Sequence, residues 1–355
     1  MSEKKIGFAG KWKSIYGKDV HLSRLSIMLL VVLLGMLILK SDKFFSVINF
    51  QTMAAQFPEF GLMSLGIMLC MITGGIDLSV VGVANLAAIT SGIVLKSMVS
   101  TEGILPTYGI PVTLLCGIII GLVAGTINGI LVSKVQIPPI LATLGSCELF
   151  TGIAIVFTQG KAVSGLPLDF SELIAGKLLG IIPVQLIVFS IMAVIIAFLL
   201  SRTTYGTKLY MLGTNLTAAK FSGLKIDRLL IKTYAFSGVC AALGGLVMLA
   251  NYNSARADYG TVYTLQCVLI VVLGGVNPSG GKGRISGVVL AIMVLQMLSS
   301  GLNMFPTISN FYKSLIWGSV LLIVMVLNYF TENKHVRRTE VAKHKVIERV
   351  YESKS

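Results

Sequence analysis

Long apolar segments recur along the chain, and short polar connections separate them. Each has roughly the length of a membrane span, since a helix needs about 20 mostly apolar residues to cross a bilayer. The segments cover residues 25–40, 60–76, 78–96, 111–133, 139–158, 181–200, 233–251, 264–276, 285–303 and 314–330. Helices satisfy their own backbone hydrogen bonds in lipid, and the alternating segments of about ten residues that mark a membrane β-barrel are absent. The pattern therefore predicts an all-α polytopic membrane protein with about ten transmembrane helices.

Glycine pairs interrupt two of these segments, at 74–75 and at 274–275. We expect helices that are broken at these pairs inside the protein. The surrounding stretches, IMLCMITGGIDLSVVGVANLA and LIVVLGGVNPSGGKGRISGVVL, share an apolar arm, the glycine pair, and then a helix of small residues. Paired broken helices often mark the translocation path of a transporter, although glycine-rich apolar sequences also resemble one another by chance. Both interpretations stay open at this point.

A separate glycine stripe lies in the segment 111–133. A glycine recurs every four residues from Gly117 to Gly129, which puts these positions on one face of a helix. Small residues on one face let the backbone of a neighbouring helix come close. We therefore predict that this face packs tightly against another helix.

The basic residues predict the orientation of the chain in the membrane. If the N-terminus faces the cytoplasm, 22 of the 29 Lys and Arg residues lie in cytoplasmic segments. Cytoplasmic loops carry an excess of Lys and Arg, so we expect both termini to be cytoplasmic. This predicts a cytoplasmic N-terminal segment at 1–24, one transmembrane permease domain at 25–330 with a cytoplasmic loop at 202–232, and a basic cytoplasmic tail at 331–355.

Composition excludes several other classes of protein. The chain is 55% apolar and 12% charged, with a mean hydropathy of +0.86, whereas soluble domains carry about 25% charged residues. A soluble enzyme, a disordered chain and a disulfide scaffold are therefore poor fits. The five cysteines lie in apolar segments without metal-ligand spacing, so we predict small buried side chains and no metal site. No nucleophile–base constellation is visible, and we predict that the chain is not an enzyme.

The glycine-rich stretch 274–284 does not match a nucleotide-binding loop. Val276 stands where the phosphate-binding pattern requires its first glycine, and Gly283 follows Lys282 where Ser or Thr is required. The sequence contains no other match to this pattern. We therefore predict no cofactor on this chain, and any ATP that drives it must be bound by a separate subunit.

Two acids lie in or beside the apolar segments, Asp77 and Glu148. An ionised carboxylate within a bilayer is costly unless it faces a cavity or a partner. Asp77 can cap a helix that begins near Ser79, with direct substrate contact as the alternative, whereas Glu148 has no capping role. Helix–helix hydrogen bonding is the alternative for the other polar candidates. The candidate residues for a substrate path are Asp77, Asn85, Asn128, Thr143, Glu148, Gln266 and Asn303.

The loop at 202–232 has the pattern of a short amphipathic helix. Thr214 or Asn215 can start this helix, and Gly223 can stop it. Such a helix on the cytoplasmic face indicates either a docking partner or the lipid surface. The candidate coupling residues are Gly213, Thr214, Asn215, Leu216, Ala218, Ala219, Lys220, Ser222, Gly223 and Leu224.

Six motifs carry a resemblance to a known family. They read GGIDLS (74–79), NGILVSKVQIPPILATLG (128–145), TQGKAVSGLP (158–167), GTNLTAAKFSGLKIDR (213–228), VVLGGVNPSGGKGRISG (271–287) and SSGLNMF (299–305). In this order they resemble the permease subunits of bacterial ATP-binding-cassette importers for ribose, xylose, galactose and related polyols. The chain departs from the family pattern by an extra Val81, by Glu148, and by the stretch Tyr263-Thr264-Leu265-Gln266, where members of the family commonly carry an acid. These departures leave the sugar open.

The resemblance implies a function and a set of partners. It implies import of a small hydroxylated solute, most simply a monosaccharide, across the bacterial inner membrane. The partners would be an ATPase subunit docked on the helix at 213–223, a periplasmic sugar-binding protein, and a second permease subunit in a homo- or heterodimer. The alternative from the residues alone is an autonomous secondary transporter, coupled to protons through Asp77 or Glu148.

Overall fold

The computed structural model describes residues 20–100 and 105–305, with a few isolated positions between 312 and 326. Most of the predicted span at 314–330, the whole tail at 331–355 and most of the segment 1–24 lie outside these residues. Residues 20–24 belong to the first described helix. The orientation of the termini stays a prediction.

Helices dominate the described residues. In chain order they are α1 (Val20–Phe44), α2 (Val47–Ile72), α3 (Val80–Met98), α4 (Gly109–Ser133), α5 (Pro139–Thr158), α6 (Leu168–Ala175), α7 (Val184–Arg202), α8 (Thr204–Thr214), α9 (Leu216–Phe221), α10 (Ile226–Tyr252), α11 (Tyr263–Leu273) and α12 (Ile285–Asn303). Four two-residue strands form two antiparallel pairs: β1 (Val163–Ser164) with β4 (Ser254–Ala255), and β2 (Lys177–Leu178) with β3 (Ile182–Pro183).

Eight of the helices in the described residues are long and apolar enough to cross a membrane. The predicted segment at 264–276 corresponds to α11, which has only 11 residues and ends before the glycine pair at 274–275. The predicted segment at 60–76 was wrong in its bounds, because α2 begins at Val47. Polar side chains such as Gln51, Gln56 and Glu59 interrupt the apolar pattern there, yet each has a hydrogen-bond partner in a distant part of the chain.

Helices α2 and α10 form the centre of the bundle. In the apolar part of α2 89% of the residues are buried, against 83% in α10 and 11% in α1. Helix α10 packs on α4, α2 and α3. The predicted glycine stripe of α4 makes one of these contacts: a Cβ at Gly121 would overlap the carbonyl of Gly238, and one at Gly125 would overlap the carbonyl of Tyr234. The close approach predicted for this face is therefore confirmed.

The two glycine breaks meet in the folded chain. Gly74 and Gly275 both have positive φ, at 88° and 83°, a backbone conformation that glycine adopts without the penalty of a Cβ. The N–H of Gly281 donates to the carbonyl of Ile72 at 2.9 Å, so the segment after α11 is tied to the end of α2. The predicted interruption of helices at both pairs is confirmed, and the structure adds that the two breaks are neighbours.

The segment 202–232 contains more helix than its sequence indicated. Asn215 accepts a hydrogen bond from the N–H of Ala218 at 2.9 Å and starts α9, and Gly223 has a φ of 73° just beyond its end. These two boundaries were predicted. A further helix, α8, was missed because its residues mix Gly, Thr and Tyr with few apolar positions, and it begins at a Thr203 cap.

Candidate translocation cavity

A cavity of about 510 Å³ lies between the start of α3, the C-terminal part of α5, the loop at 256–262 and the first turn of α11. Its volume falls within the range of about 300–1,000 Å³ that small-molecule sites occupy. It is lined by Leu78, Val81, Leu144, Cys147, Glu148, Thr151, Ile155, Thr158, Gly160, Arg256, Ala257, Asp258, Thr261 and Thr264. Among the predicted path residues, only Glu148 belongs to this lining.

The polar groups of the cavity come from two walls. Helix α5 contributes the exposed carboxylate of Glu148 and the hydroxyl of Thr151, one turn apart on the same helix face. The opposite loop contributes Arg256 and Asp258, whose Nε and Oδ1 atoms lie 3.0 Å apart in an ion pair. Carboxylate, guanidinium and hydroxyl groups together offer hydrogen-bond donors and acceptors. The cavity can therefore hold a small ligand that carries several hydroxyl groups.

Sequence analysis missed the loop that supplies this second wall. Arg256 and Asp258 lie in a polar connection outside every apolar segment, where helical periodicity gives no signal. The structure places Asn85, a predicted path residue, behind this loop. Its Nδ2 donates to the carbonyls of Ala257 and Tyr259, each at 2.8 Å, and the side chain is buried. Asn85 therefore positions the loop and does not line the cavity.

A second anchor of the same loop is Glu59, which sequence analysis also missed. Its side chain is only 2% exposed. Oε1 accepts from Asn251 Nδ2 at 2.7 Å, and Oε2 accepts from the hydroxyls of Tyr252 and Tyr263 at 2.8 and 3.0 Å. This network joins α2 to the end of α10 and the start of α11, and so fixes both ends of the connection between them. A lone acid in the apolar sequence FPEFGLM was the available signal, but the predicted span began one residue after it.

Asp77 lies at the break between α2 and α3 and is fully hydrogen-bonded. Its Oδ1 accepts from the N–H and the hydroxyl of Ser79 at 3.0 and 2.6 Å, and its Oδ2 accepts from the hydroxyl of Ser237 at 2.7 Å. Asn128 Nδ2 donates to the Ser79 hydroxyl at 2.7 Å, so this predicted path residue joins the same cluster. All four side chains are buried. The cluster fixes the start of α3, where the cavity residues Leu78 and Val81 lie.

The remaining predicted path residues lie apart from the cavity. The Thr143 hydroxyl donates to the carbonyls of Ile76 and Pro139, at 3.1 and 2.8 Å, and so joins α5 to the same break. Gln266 is buried on α11. Asn303 is exposed at the end of α12. The structure therefore brings Asp77, Asn128 and Thr143 together at one break and separates them from Gln266 and Asn303.

Some of the predicted coupling residues are packed inside the protein, and others are exposed on its surface. Gly213 is half-buried, and a Cβ there would overlap the carbonyl of Ile72 and the N–H of Gly281. Ala219 is buried, whereas Leu216 is 59% exposed. Thr214, Asn215, Ala218 and Ser222 line a groove of about 490 Å³ together with residues of α7 and α8. Lys220 and Gly223 are exposed and Leu224 is half-buried. Gly213 and Ala219 therefore serve packing within the chain.

Comparison with known proteins identifies the relatives of this chain. Residues 49–325 match the family described as "Branched-chain amino acid transport system / permease component". The chain is 34% identical over 306 residues to the ribose import permease protein RbsC of Bacillus subtilis (strain 168), which covers 86% of this chain and 91% of that protein.

Two further relatives are permease proteins of autoinducer 2 import systems. LsrC of Escherichia coli O157:H7 is 32% identical over 304 residues, which is 86% of this chain and 85% of the relative. LsrD of Yersinia enterocolitica is 29% identical over 327 residues, which is 90% of this chain and 94% of the relative. No solved structure matches the chain. The family match spans more than half of the sequence and covers the cavity, both glycine breaks and every described helix after α1. The chain therefore belongs to this family of transport permease components.

Proposed function

We propose that this chain is the membrane-spanning permease subunit of an ATP-binding-cassette importer, and that it carries a small polyhydroxylated solute through the cavity at Glu148. The observation that supports this proposal most directly is the cavity itself, with its carboxylate, ion pair and hydroxyl groups. The relatives are import permeases for ribose and for autoinducer 2. We infer that the solute of this chain belongs to the same chemical class, and a monosaccharide is its simplest member.

The lining suits such a solute for two reasons. Sugar hydroxyls both donate and accept, so they match a mixture of Glu148, Arg256 and Thr264. Leu78, Val81 and Ile155 offer an apolar surface for the C–H faces of a sugar ring. A fully apolar solute would cover the carboxylate of Glu148 without offering it a hydrogen bond, which is unfavourable. The cavity therefore favours polyols over aliphatic solutes.

Energy for transport would come from a separate ATPase subunit that docks on α9. Leu216 and Phe221 expose 59% and 89% of their surface on this helix and are suited to an apolar contact with a partner. Behind α9, Gly213 contacts Ile72 and Gly281. The Tyr210 hydroxyl also donates to the carbonyl of Gly283 at 2.8 Å. We infer that movement of α9 is transmitted through α8 to both glycine breaks.

One of these breaks leads directly to the cavity. Ile72 ends α2, Asp77 fixes the turn that follows it, and Leu78 and Val81 are cavity residues. A displacement of Ile72 by α8 would therefore move one wall of the cavity. Contiguous packed elements therefore connect the docking site of the ATPase to the solute cavity, and they can transmit movement that ATP hydrolysis causes.

The proposed assembly lies in the bacterial inner membrane. It contains a periplasmic solute-binding protein and a second permease subunit, with both termini of this chain in the cytoplasm. In this orientation the β1–β4 and β2–β3 pairs lie on the periplasmic side, at the outer ends of α5, α7 and α10. The binding protein would deliver the solute at this end.

Reconstitution of uptake tests the proposal. Proteoliposomes that contain this permease and its ATPase, supplied with the binding protein, should accumulate radiolabelled ribose or a related polyol only when ATP is present inside. A protonophore should leave this uptake intact. A matched preparation with an ATPase variant that cannot hydrolyse ATP should not accumulate the solute. Uptake that collapses with the protonophore and persists with the inactive ATPase would instead indicate a proton-coupled secondary transporter and overturn the proposal.

A further inference from the structure

A second pocket lies where α8 packs against the start of α10. It has a volume of about 420 Å³ and is distinct from the translocation cavity. Its lining consists of Thr204, Tyr205, Lys208, Gly223, Leu224, Lys225, Arg228, Leu229 and Lys232. The hydroxyls of Tyr205 and Thr233 lie 2.9 Å apart and hold α8 against α10. The two walls of the pocket are therefore fixed relative to each other.

Four cations line this basic pocket, and no carboxylate does. Lys225 at the N-cap of α10 is followed by Arg228 and Lys232 at spacings of three and four residues, which places all three on one side of the start of the helix. Lys208 on α8 contributes the fourth charge from the other wall. Within residues 20–100 and 105–305, none of these four side chains forms an ion pair. Asp227 is the neighbouring acid, and it is exposed in the first turn of α10 outside the lining.

The backbone adds further positive potential at the same place. Helix α10 begins at Ile226, and its N-cap residue Lys225 provides no side-chain hydrogen bond to the first turn. The first N–H groups of a helix carry partial positive charge and favour an anion. Four cations around the start of a helix that lacks a side-chain cap therefore form a site that attracts a phosphate-like group.

The pocket lies at the edge of the membrane-spanning region. Helix α7 ends at Arg202, immediately before the lining begins at Thr204, and the span of α10 begins at Ile226. Leu224 and Leu229 supply apolar surface within the lining. A ligand that fits here has an anionic headgroup beside an apolar body, which describes a phospholipid at the bilayer surface.

We propose that this basic pocket binds the phosphate headgroup of an anionic phospholipid in the adjacent leaflet. This proposal goes beyond the transport function. If the proposed orientation holds, the leaflet that contains this lipid is the cytoplasmic one. The lipid anchors the start of α10 and the α8 helix beside it, next to the segment that would contact the ATPase.

Lipid binding to the purified full-length permease tests this proposal. Binding of phosphatidylglycerol and of phosphatidylcholine is measured in detergent by native mass spectrometry. We expect a preference for phosphatidylglycerol that weakens with salt, and we expect K208Q/R228Q/K232Q to bind it about tenfold more weakly or worse. The control K134Q/K161Q/K220Q removes the same charge from exposed positions outside the pocket and should retain the preference. If the triple variant does not fold, R228Q alone should still weaken binding severalfold.

Three results would overturn the proposal. One is equal loss of phosphatidylglycerol in the pocket and control variants, which would indicate a general charge effect. Another is displacement of the lipid by an equal concentration of inorganic phosphate, which would indicate a site for a free phosphoanion. The third is unchanged lipid binding in K208Q/R228Q/K232Q with lost association of the ATPase, which would assign the pocket to a protein partner.

Discussion

At the scale of single residues, three acids within apolar sequence occupy two different environments. Glu148 is exposed on the wall of the cavity, whereas Glu59 and Asp77 are buried and hydrogen-bonded by neutral groups. A buried carboxylate with its acceptors occupied is suited to hold helices in place. An exposed carboxylate at a cavity wall remains available to a ligand. The same residue type therefore supports structure at two positions and, we propose, solute binding at the third.

Replacement of Glu148 tests its proposed contact with the solute. E148Q should weaken uptake at low solute concentration by about tenfold or more, because hydrogen bonds to charged groups contribute about 1.5–3 kcal/mol. The apparent KM should rise while the thermal stability of the protein stays the same, since the side chain is exposed. The control is E172Q, an exposed acid on α6 that does not line the cavity. An unchanged KM in E148Q would contradict the proposed contact.

Replacement of Glu59 tests the anchor of the loop at 256–262. E59A removes the acceptor of Asn251 and Tyr263, and an unsatisfied buried donor costs about 1–3 kcal/mol. We expect a lower thermal unfolding temperature in detergent and a smaller drop for E59Q, whose amide oxygen still accepts hydrogen bonds. E172A serves as the exposed control and should unfold like the wild type. Equal stability of E59A and E172A would show that the network does not stabilise the fold.

At the scale of secondary-structure elements, the contacts between glycine-containing segments organise the molecule. The end of α2, the end of α8 and the loop after α11 approach one another at Ile72, Gly213 and Gly281. Helices α2 and α8 come from different parts of the sequence, and only the absence of a Cβ at Gly213 allows their backbones to approach this closely. The proposed route from the ATPase to the cavity passes through this contact.

A methyl group at Gly213 tests the proposed route. In G213A the new Cβ would overlap the Ile72 carbonyl, so α8 must move away from α2. Such overpacking costs about 1–3 kcal/mol. We expect ATP-driven uptake to fall strongly while membrane insertion and solute binding persist, as measured in proteoliposomes and by ligand-induced thermal stabilisation.

The matched control for this experiment is G35A. Gly35 lies within α1 and has no neighbouring atoms within 4 Å of an added Cβ, so this variant should transport normally. Normal transport by G213A as well would mean that the contact at Ile72 does not carry the coupling.

At the scale of the whole molecule, the described bundle has a buried centre and an apolar outer surface. Helices α2 and α10 are enclosed, whereas α1, α4, α5 and α7 carry exposed Ile, Leu and Val side chains. A surface of this kind requires lipid or another subunit around it. The basic residues near 202–232, and the few bases near 161–177 at the other ends of the same helices, predict which end faces the cytoplasm.

Reporter insertions test this orientation. A reporter inserted after Lys220 should report the cytoplasm, and one inserted after Glu172 should report the periplasm. The reason is that loops rich in Lys and Arg stay on the cytoplasmic side of the membrane. A green fluorescent protein reporter, fluorescent only in the cytoplasm, and an alkaline phosphatase reporter, active only in the periplasm, provide opposite readouts. A periplasmic result at Lys220 would invert the orientation and exclude ATPase docking on α9.

The sequence by itself determined the class of the protein and the positions of its breaks. Segment length and hydropathy identify spans because lipid imposes one solution on the backbone. The glycine pairs, the Asn215 cap and the Gly223 stop are local signals that act over a few residues. The family motifs are local in the same sense. These features were therefore predictable without knowledge of the folded chain.

Only the tertiary structure decided which polar residues share a site. Glu148 was recognisable as an acid in an apolar segment, but Arg256 and Asp258, which line the same cavity, lie more than a hundred positions away in a loop without periodicity. Asn85 was predicted to line the path, but in the folded chain its side chain donates a hydrogen bond to the backbone of that loop. Hydrogen bonds between distant elements depend on helix packing, which a linear pattern of apolar and polar residues does not specify.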